Sequence, residues 1–380
     1  MTAVSSANSS AHVVIVGGGV MGCSVGLRLR DRGIACTIIE RGIPGAEASS
    51  AAAGILGPQW ECDEPGALMD LGLKSRALYP AFARELHELS GIDIGYRASG
   101  LIELALDDAG LQGIANRAKW QRERGLVSEW LDHRALHELE PELAPDVHAG
   151  VLMAEEGHVT ARLLARAVSQ AAAVRGVKFL QGRYVRRVAM KGGRAEGVEL
   201  DGETLHADAV VIAAGSWSSL VEGAMAPNVV RPARGQMVVV EMRPPLFRHV
   251  LAPFVNGYLV PRADGVALIG STFEMVGFRK EVTVGGLADI LAMARSVLPG
   301  LEPLPVVDTY SNFRPYTTDK IPIIGKTDVE GLFLATGHHR YGILLAPITG
   351  DIVAAQIAGV STDSLYPDLA LDAFSVARFS

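Results

Sequence analysis

The chain has 380 residues, 49% of them hydrophobic and 20% charged, with a net charge of −7 from 35 basic and 42 acidic side chains. That length sets an expectation of two domains, and the composition is that of an ordinary globular protein. No run of Lys and Arg stands out, which argues against nucleic acid or an anionic membrane as the main partner. The three cysteines, Cys23, Cys36 and Cys62, form no C-x-x-C pair and no metal cluster, and they suit a reducing cytoplasm. Residues 1–11 lack the basic segment and apolar core of a signal peptide and read as a disordered lead-in. The apolar window at 13–27 is glycine-rich and shorter than the ~20 residues of a membrane span, so no span is expected.

Residues 13–40 carry the strongest local signal. An apolar run breaks into V-G-G-G-V-M-G, passes into a helical segment, and returns as a second apolar run ending in Glu40. This is the pattern of a β-α-β unit that binds a dinucleotide. Gly17 permits the tight turn, Gly19 lets the backbone approach a pyrophosphate, and Gly22 lets helix pack on strand. The first helical amides, including those of Val20 and Met21, then face the phosphates at the positive end of the macrodipole. Glu40 is placed to accept hydrogen bonds from a ribose. The motif alone leaves NAD and FAD both open.

Next comes A-S-S-A-A-A-G-I-L-G-P-Q-W-E, dense in small residues and suited to a backbone lying against a flat ligand. Residues 68–89 have helical apolar spacing. A strand is expected at 100–106 and a helix at 111–124. His133 and His137 share a helical face, but a metal would need further ligands, so an exposed charged helix is expected there. Glu155, Glu156 and His158 read as a loop, followed by a helix from Thr160, as N-cap, to about residue 174.

Strands are expected at 177–181, 184–190 and 194–200, forming a small meander. A strand at 209–213 then returns to the first domain and ends in A-A-G-S-W-S, with Gly215 at its mouth. From 231 to 313 the pattern alternates, with the Asp264-Gly265 turn between two strands and an amphipathic helix at 286–297. This reads as an antiparallel sheet with a covering helix, inserted into the first domain. Finally a buried strand at 332–336 runs into G-H-H-R-Y-G-I-L-L-A-P and a helix near Ala346, with Pro347 suited to its first turn. Two histidines, an arginine and a tyrosine between apolar elements point to a ligand-facing loop. Arg314 precedes Pro315, which biases its backbone to extended form, and its planar fork can hold a carboxylate bidentately.

Taken together, these blocks resemble the D-amino-acid-oxidase superfamily of FAD enzymes, and within it the glycine oxidases of the thiamine-pathway type. The resemblance covers nearly the whole chain and rests on V-I-V-G-G-G-V-M-G with Glu40, A-S-S-A-A-A-G-I-L-G-P-Q-W-E, V-V-I-A-A-G-S-W-S, R-G-Q-M, F-R-P-Y-T-T-D and G-H-H-R-Y-G-I-L-L-A-P-I-T-G. It implies an α/β fold in which a Rossmann-like FAD-binding domain (11–90, 146–225, 315–368) carries an inserted α+β substrate domain (91–145, 226–314). It implies non-covalent FAD lined by Val20, Met21, Glu40, Arg41, Ala48, Ser49, Ala53, Gly54 and Ile55. The backbone of Val185 would meet the adenine, and His338, His339, Arg340, Tyr341, Gly342, Ile343 and Leu344 would lie beside the isoalloxazine. Arg314 becomes the substrate-carboxylate anchor, Tyr258 its assistant and Arg340 a second arginine near the substrate, with no protein residue serving as acid or base.

The implied reaction oxidises glycine, other small amines or D-amino acids by hydride transfer from Cα, giving oxo-acid, ammonia and hydrogen peroxide from dioxygen, with a place in thiazole formation for thiamine. A dehydrogenase passing electrons to another acceptor is the alternative. The chain departs from the family at Tyr341, usually Asn, at His339, usually aromatic, and at Ile55 and Phe273, where methionines are usual. Oligomeric state stays open.

Overall fold

In the computed structural model the described residues are 12–254 and 257–379; the lead-in at 1–11 lies outside them. The chain begins with β1 (His12–Val16), α1 (Val20–Asp31) and β2 (Ala35–Glu40). These open a six-stranded sheet in the order Ile323–Lys326, Leu332–Thr336, Ala209–Ile212, β1, β2, Lys178–Gln181. All neighbours are parallel except the outermost pair, Ile323–Lys326 with Leu332–Thr336. Side-chain alternation divides β1 between two cores. Val13 and Ile15 pack with the helical layer that includes Ala161–Val174 and Ala346–Ile357, while Val14 and Val16 face the opposite layer. The Arg187–Lys191, Arg194–Leu200 and Glu203–His206 strands form a separate three-stranded sheet on that opposite side.

The second sheet has eight strands, in the order Val306–Tyr316, Arg231–Glu241, Val266–Gly270, Tyr258–Pro261, Val250–Pro253, Leu101–Ala105, Ala149–Met153, Glu129–Leu131. It is antiparallel apart from one parallel pair, Val250–Pro253 with Leu101–Ala105. One face packs under helix Val284–Val297 through Ile102, Leu104, Val238 and Val240; the other packs under helix Asp108–Glu123 through Leu101, Ala105 and Met237.

Four readings need correction. The strand expected at 177–181 joins the parallel sheet beside β2 and not the meander, whose third strand is Glu203–His206. The strand expected from 184 starts only at Arg187, which leaves Tyr184 and Val185 in a loop over the cofactor cleft. The eight-stranded sheet carries on past the expected boundary at residue 145 through Ala149–Met153. Glu156 and His158 are buried, the latter in a short strand that pairs with Ile55. At Lys178–Gln181 the period-2 pattern marked strand character while the choice of partner was non-local; no strand was expected at Ala149–Met153 or Gly157–His158. Among the described residues, no helix is long and apolar enough to cross a membrane.

Candidate active site

The main cleft opens at the carboxyl ends of the parallel strands, where open α/β sheets bind ligands. Gly17, which follows β1, has φ +105, and a Cβ there would come within 3.0 Å of the Ala213 carbonyl. A Cβ on Gly22 would strike the Gly17 carbonyl oxygen, so α1 can lie this close to β1 only with glycine at that position. Gly19 caps α1 without a side-chain bond. The Val20 amide donates to Ser49 Oγ at 2.9 Å, which pins the small-residue segment over the helix start and leaves the Ser49 hydroxyl proton available to a ligand.

At the end of β2, Glu40 accepts from the Gly18 amide through one carboxylate oxygen and from the Gly42 amide through the other, both at 2.8 Å. A carboxylate has about four acceptor sites, so Glu40 keeps capacity for ribose hydroxyls. Glu40→Ala would remove the carboxylate that ties Gly18 and Gly42 together and, with it, the acceptors for the ribose hydroxyls. The expected result is FAD binding weakened by about tenfold to a hundredfold, read by fluorescence titration of the apoprotein; an unchanged Kd would reject the assignment.

Val16, Ile39, Arg41, Glu47, Ala48, Ala53, Gly54, Ile55, Val185, Gly215, Trp217, His338, Gly342 and Ile343 also line the cleft. The Arg41 guanidinium lies 3.7 Å from the Trp217 ring centroid, and Trp217 stacks on Phe278. Among the described residues, the backbone groups of Val185 have no hydrogen-bond partner, so they are available to a base edge. Gly22, Tyr341 and Leu344 sit behind the lining. Tyr341 donates to the Glu61 carbonyl at 2.9 Å, and the Leu344 carbonyl accepts from Ser75 Oγ at 2.6 Å. Glycine cradle, spare carboxylate capacity, free backbone at Val185 and a floor of small residues together fit FAD. No cysteine lines this cleft among the described residues; Cys62 faces a neighbouring outer cavity.

Five residues border both the cleft and that outer cavity: Glu61, Tyr258, Arg314, His339 and Arg340. The two arginines differ in charge balance. Arg340 pairs with Glu61, Nε to Oε2 2.6 Å, and lies over Trp60. Arg314 donates only to neutral groups, the Thr272 carbonyl at 3.1 Å and Ser271 Oγ, and among the described residues it forms no ion pair. The buried Tyr258 packs edge-on to Trp60, and its hydroxyl donates to Met237 Sδ at 3.4 Å.

His339 holds φ +46, outside glycine's usual monopoly of that region, and its ring meets Phe273 and Tyr316 edge to face. Burial pushes both His338 and His339 down to about 3, and Arg314, Arg340 and Lys320 act in the same direction on His339. Both rings are therefore neutral at pH 7. An unfolded histidine titrates near ~6.5. As pH falls from there towards 3, the unfolded chain takes up protons that the folded chain refuses, so the stability present above ~6.5 is progressively lost. His339→Phe keeps an aromatic ring between Phe273 and Tyr316 and removes one such proton. Its Tm should fall less than that of the unsubstituted protein between about pH 6.5 and 4; parallel curves would contradict a neutral His339.

The family described as DAO, FAD dependent oxidoreductase, matches residues 12–356. The chain belongs to this family. It is 36% identical over 372 residues to a glycine oxidase of Geobacillus kaustophilus (strain HTA426), covering 97% of this chain and 96% of that protein. The crystal structure of glycine oxidase from Geobacillus kaustophilus superposes with a TM-score of 0.90 at 35% identity, covering 97% and 99% of the two chains. A bifunctional protein ThiO/ThiG of Trichormus variabilis (strain ATCC 29413 / PCC 7937) is 34% identical over 97% of this chain, which spans 55% of that longer protein. The expected Rossmann-like fold and FAD as cofactor hold for this family member.

Sequence reasoning did not single out Glu61, Trp217 or Arg262. Glu61 carried a faint signal, a carboxylate directly after Trp60 at the end of the small-residue segment. The other two acquire meaning only from residues distant in the chain.

Proposed function

We propose that this FAD-dependent oxidoreductase deaminates glycine and other small amines or D-amino acids, giving oxo-acid, ammonia and hydrogen peroxide. The observation that carries this reading is Arg314, a guanidinium at the border of cleft and outer cavity that is bonded only to neutral groups. A substrate carboxylate is the natural counter-ion for such a fork. Arg340, already matched by Glu61, lends positive potential without needing a second substrate anion.

FAD, held by the glycine turn, Glu40 and the Val185 backbone, would supply the hydride acceptor. Arg314 holds the carboxylate and so fixes where Cα lies, while Tyr258 and Trp60 close the apolar side of the site. With His338 and His339 held at about 3 by burial, neither ring is a competent base, so the amine enters without its extra proton, a form the positive potential of Arg314 favours. The imine then takes up water to give oxo-acid and ammonia.

Similarity to glycine oxidase and to a ThiO/ThiG protein supports glycine as a substrate and a place in thiazole formation for thiamine. We assign cofactor binding to residues 11–90, 146–225 and 315–368 and substrate binding to 91–145 and 226–314, with Ala149–Met153 lent to the substrate sheet. Oxygen uptake with glycine, sarcosine and a panel of small D-amino acids tests the function. Turnover only with an artificial acceptor would make the protein a dehydrogenase, and absence of flavin bleaching by every amine under anaerobic conditions would reject the reading.

A further inference from the structure

Arg262 is 7% exposed, and among the described residues it has no ion-pair partner. It reaches from the end of the Tyr258–Pro261 strand and donates to two backbone carbonyls, those of Val159 and Ala53. Its Nε has no partner. A buried cation held by neutral carbonyls alone is costly, which asks what its charge serves.

The surrounding backbone supplies the answer. Ile55–Leu56 pairs antiparallel with Gly157–His158, and the Val159 amide continues that ladder by donating to the Gly54 carbonyl at 2.9 Å. A regular ladder would return the bond from the Gly54 amide to the Val159 carbonyl. Here it does not. Gly54 has φ +80, its amide has no partner among the described residues, and Arg262 takes the Val159 carbonyl in its place. The second Arg262 bond grips the Ala53 carbonyl, which belongs to the same peptide unit as the Gly54 N–H. In a trans peptide these two groups point in opposite directions, so this grip aims the Gly54 N–H away from Arg262. Ala53, Gly54 and Ile55 all line the cofactor cleft.

We propose that Arg262 is a positioning residue for FAD: it frees the Gly54 amide from the strand ladder, aims it into the cleft, and strengthens it as a donor to the reduced cofactor. A charge-assisted bond to a carbonyl polarises the peptide and makes its N–H a better donor. Reduced flavin carries more negative charge than oxidised flavin, so this donor and the buried charge behind it favour reduction. Burial pushes the Arg262 guanidinium down to about 10, which leaves it charged at neutral pH. The inference rests on FAD binding and not on the identity of the substrate.

The test is the two-electron midpoint potential of bound FAD, read by dithionite titration against a reference dye in Arg262→Gln and Arg262→Lys. Gln keeps one donor and loses the charge; Lys keeps the charge and loses the fork. The Gln variant should lower the potential by at least tenfold in the equilibrium constant, about 30 mV for a two-electron couple, and Lys should give a smaller loss of the same sign. A potential unchanged in both, with only Tm reduced, would make Arg262 a structural clamp and overturn the proposal. If the Gln variant does not fold, an unchanged potential in folded Arg262→Lys overturns it as well. Because dithionite replaces the substrate, the potential stays readable even if no amine reduces the flavin, and that result would count only against the proposed reaction.

Discussion

Replacing Arg314 with Leu is expected to raise the KM for the amine substrate by about a hundredfold while FAD stays bound. Each charge-assisted bond to a carboxylate contributes ~1.5–3 kcal/mol, and losing a bidentate pair costs somewhat less than two such bonds because the remaining groups re-form partners. A loss of ~3 kcal/mol corresponds to about a hundredfold in affinity. Cofactor binding should persist because the glycine turn, Glu40 and the Val185 backbone do not depend on this guanidinium. Steady-state kinetics beside the flavin absorbance of the purified variant checks both halves. Arg314→Lys should recover little of the loss, since an ammonium cannot form the fork. A second variant reaches the same guanidinium from outside. A Cβ on Gly235 would lie within 3.0 Å of the Arg314 guanidinium nitrogens, so Gly235→Ala should displace the fork and raise KM in the same direction. Unchanged KM in both variants would remove Arg314 from the substrate site.

The second large effect is expected at Gly22. Its φ is ordinary, so the constraint is space and not conformation. An added Cβ meets the Gly17 carbonyl oxygen inside 3.0 Å, and the obstacle is backbone that belongs to the phosphate turn itself. Relief requires α1 to move off β1, against a core in which Val13, Ile15, Cys23, Val25 and Leu27 are fully buried. Overpacking of this kind costs ~1–3 kcal/mol, and here the displacement falls on the turn we assign to the pyrophosphate. Gly22→Ala should purify with little FAD, measured as flavin absorbance per protein, and added FAD should raise its Tm less than it raises that of the unsubstituted chain. Full flavin content with an unchanged Tm would show that α1 tolerates the methyl group.

Much of this was legible beforehand because it is local. The turn of Gly17, Gly19 and Gly22 and the acid at Glu40 lie within one β-α-β unit, where spacing alone dictates contact. Arg314 was singled out by the resemblance and, beside it, by Pro315, which biases it to extended backbone, and by the chemistry of its fork. Tyr258 was singled out by the resemblance alone. Other features depend on which segments meet. The Arg340–Glu61 pair joins a loop near the end of the chain to a short segment near its start, and it separates two arginines that look alike in sequence. The strand at Lys178–Gln181 reads like its neighbours in the meander, yet it completes the parallel sheet, because alternation reports the faces of a strand and not its partner. Glu156 reads as a loop residue, yet its carboxylate lies in the interior and accepts from the Trp60 amide at 3.3 Å.

The amino-acid sequence by itself pointed to a dinucleotide, through short-range spacing and glycine's lack of a side chain, while FAD rather than NAD came from the resemblance of blocks spread along the chain. Only the tertiary structure showed that Glu61 pairs with Arg340 while Arg314 meets neutral groups alone, and that Arg262 is buried among carbonyls without a carboxylate. Those outcomes depend on charge pairing and ladder geometry between segments more than a hundred residues apart, and no local pattern encodes them.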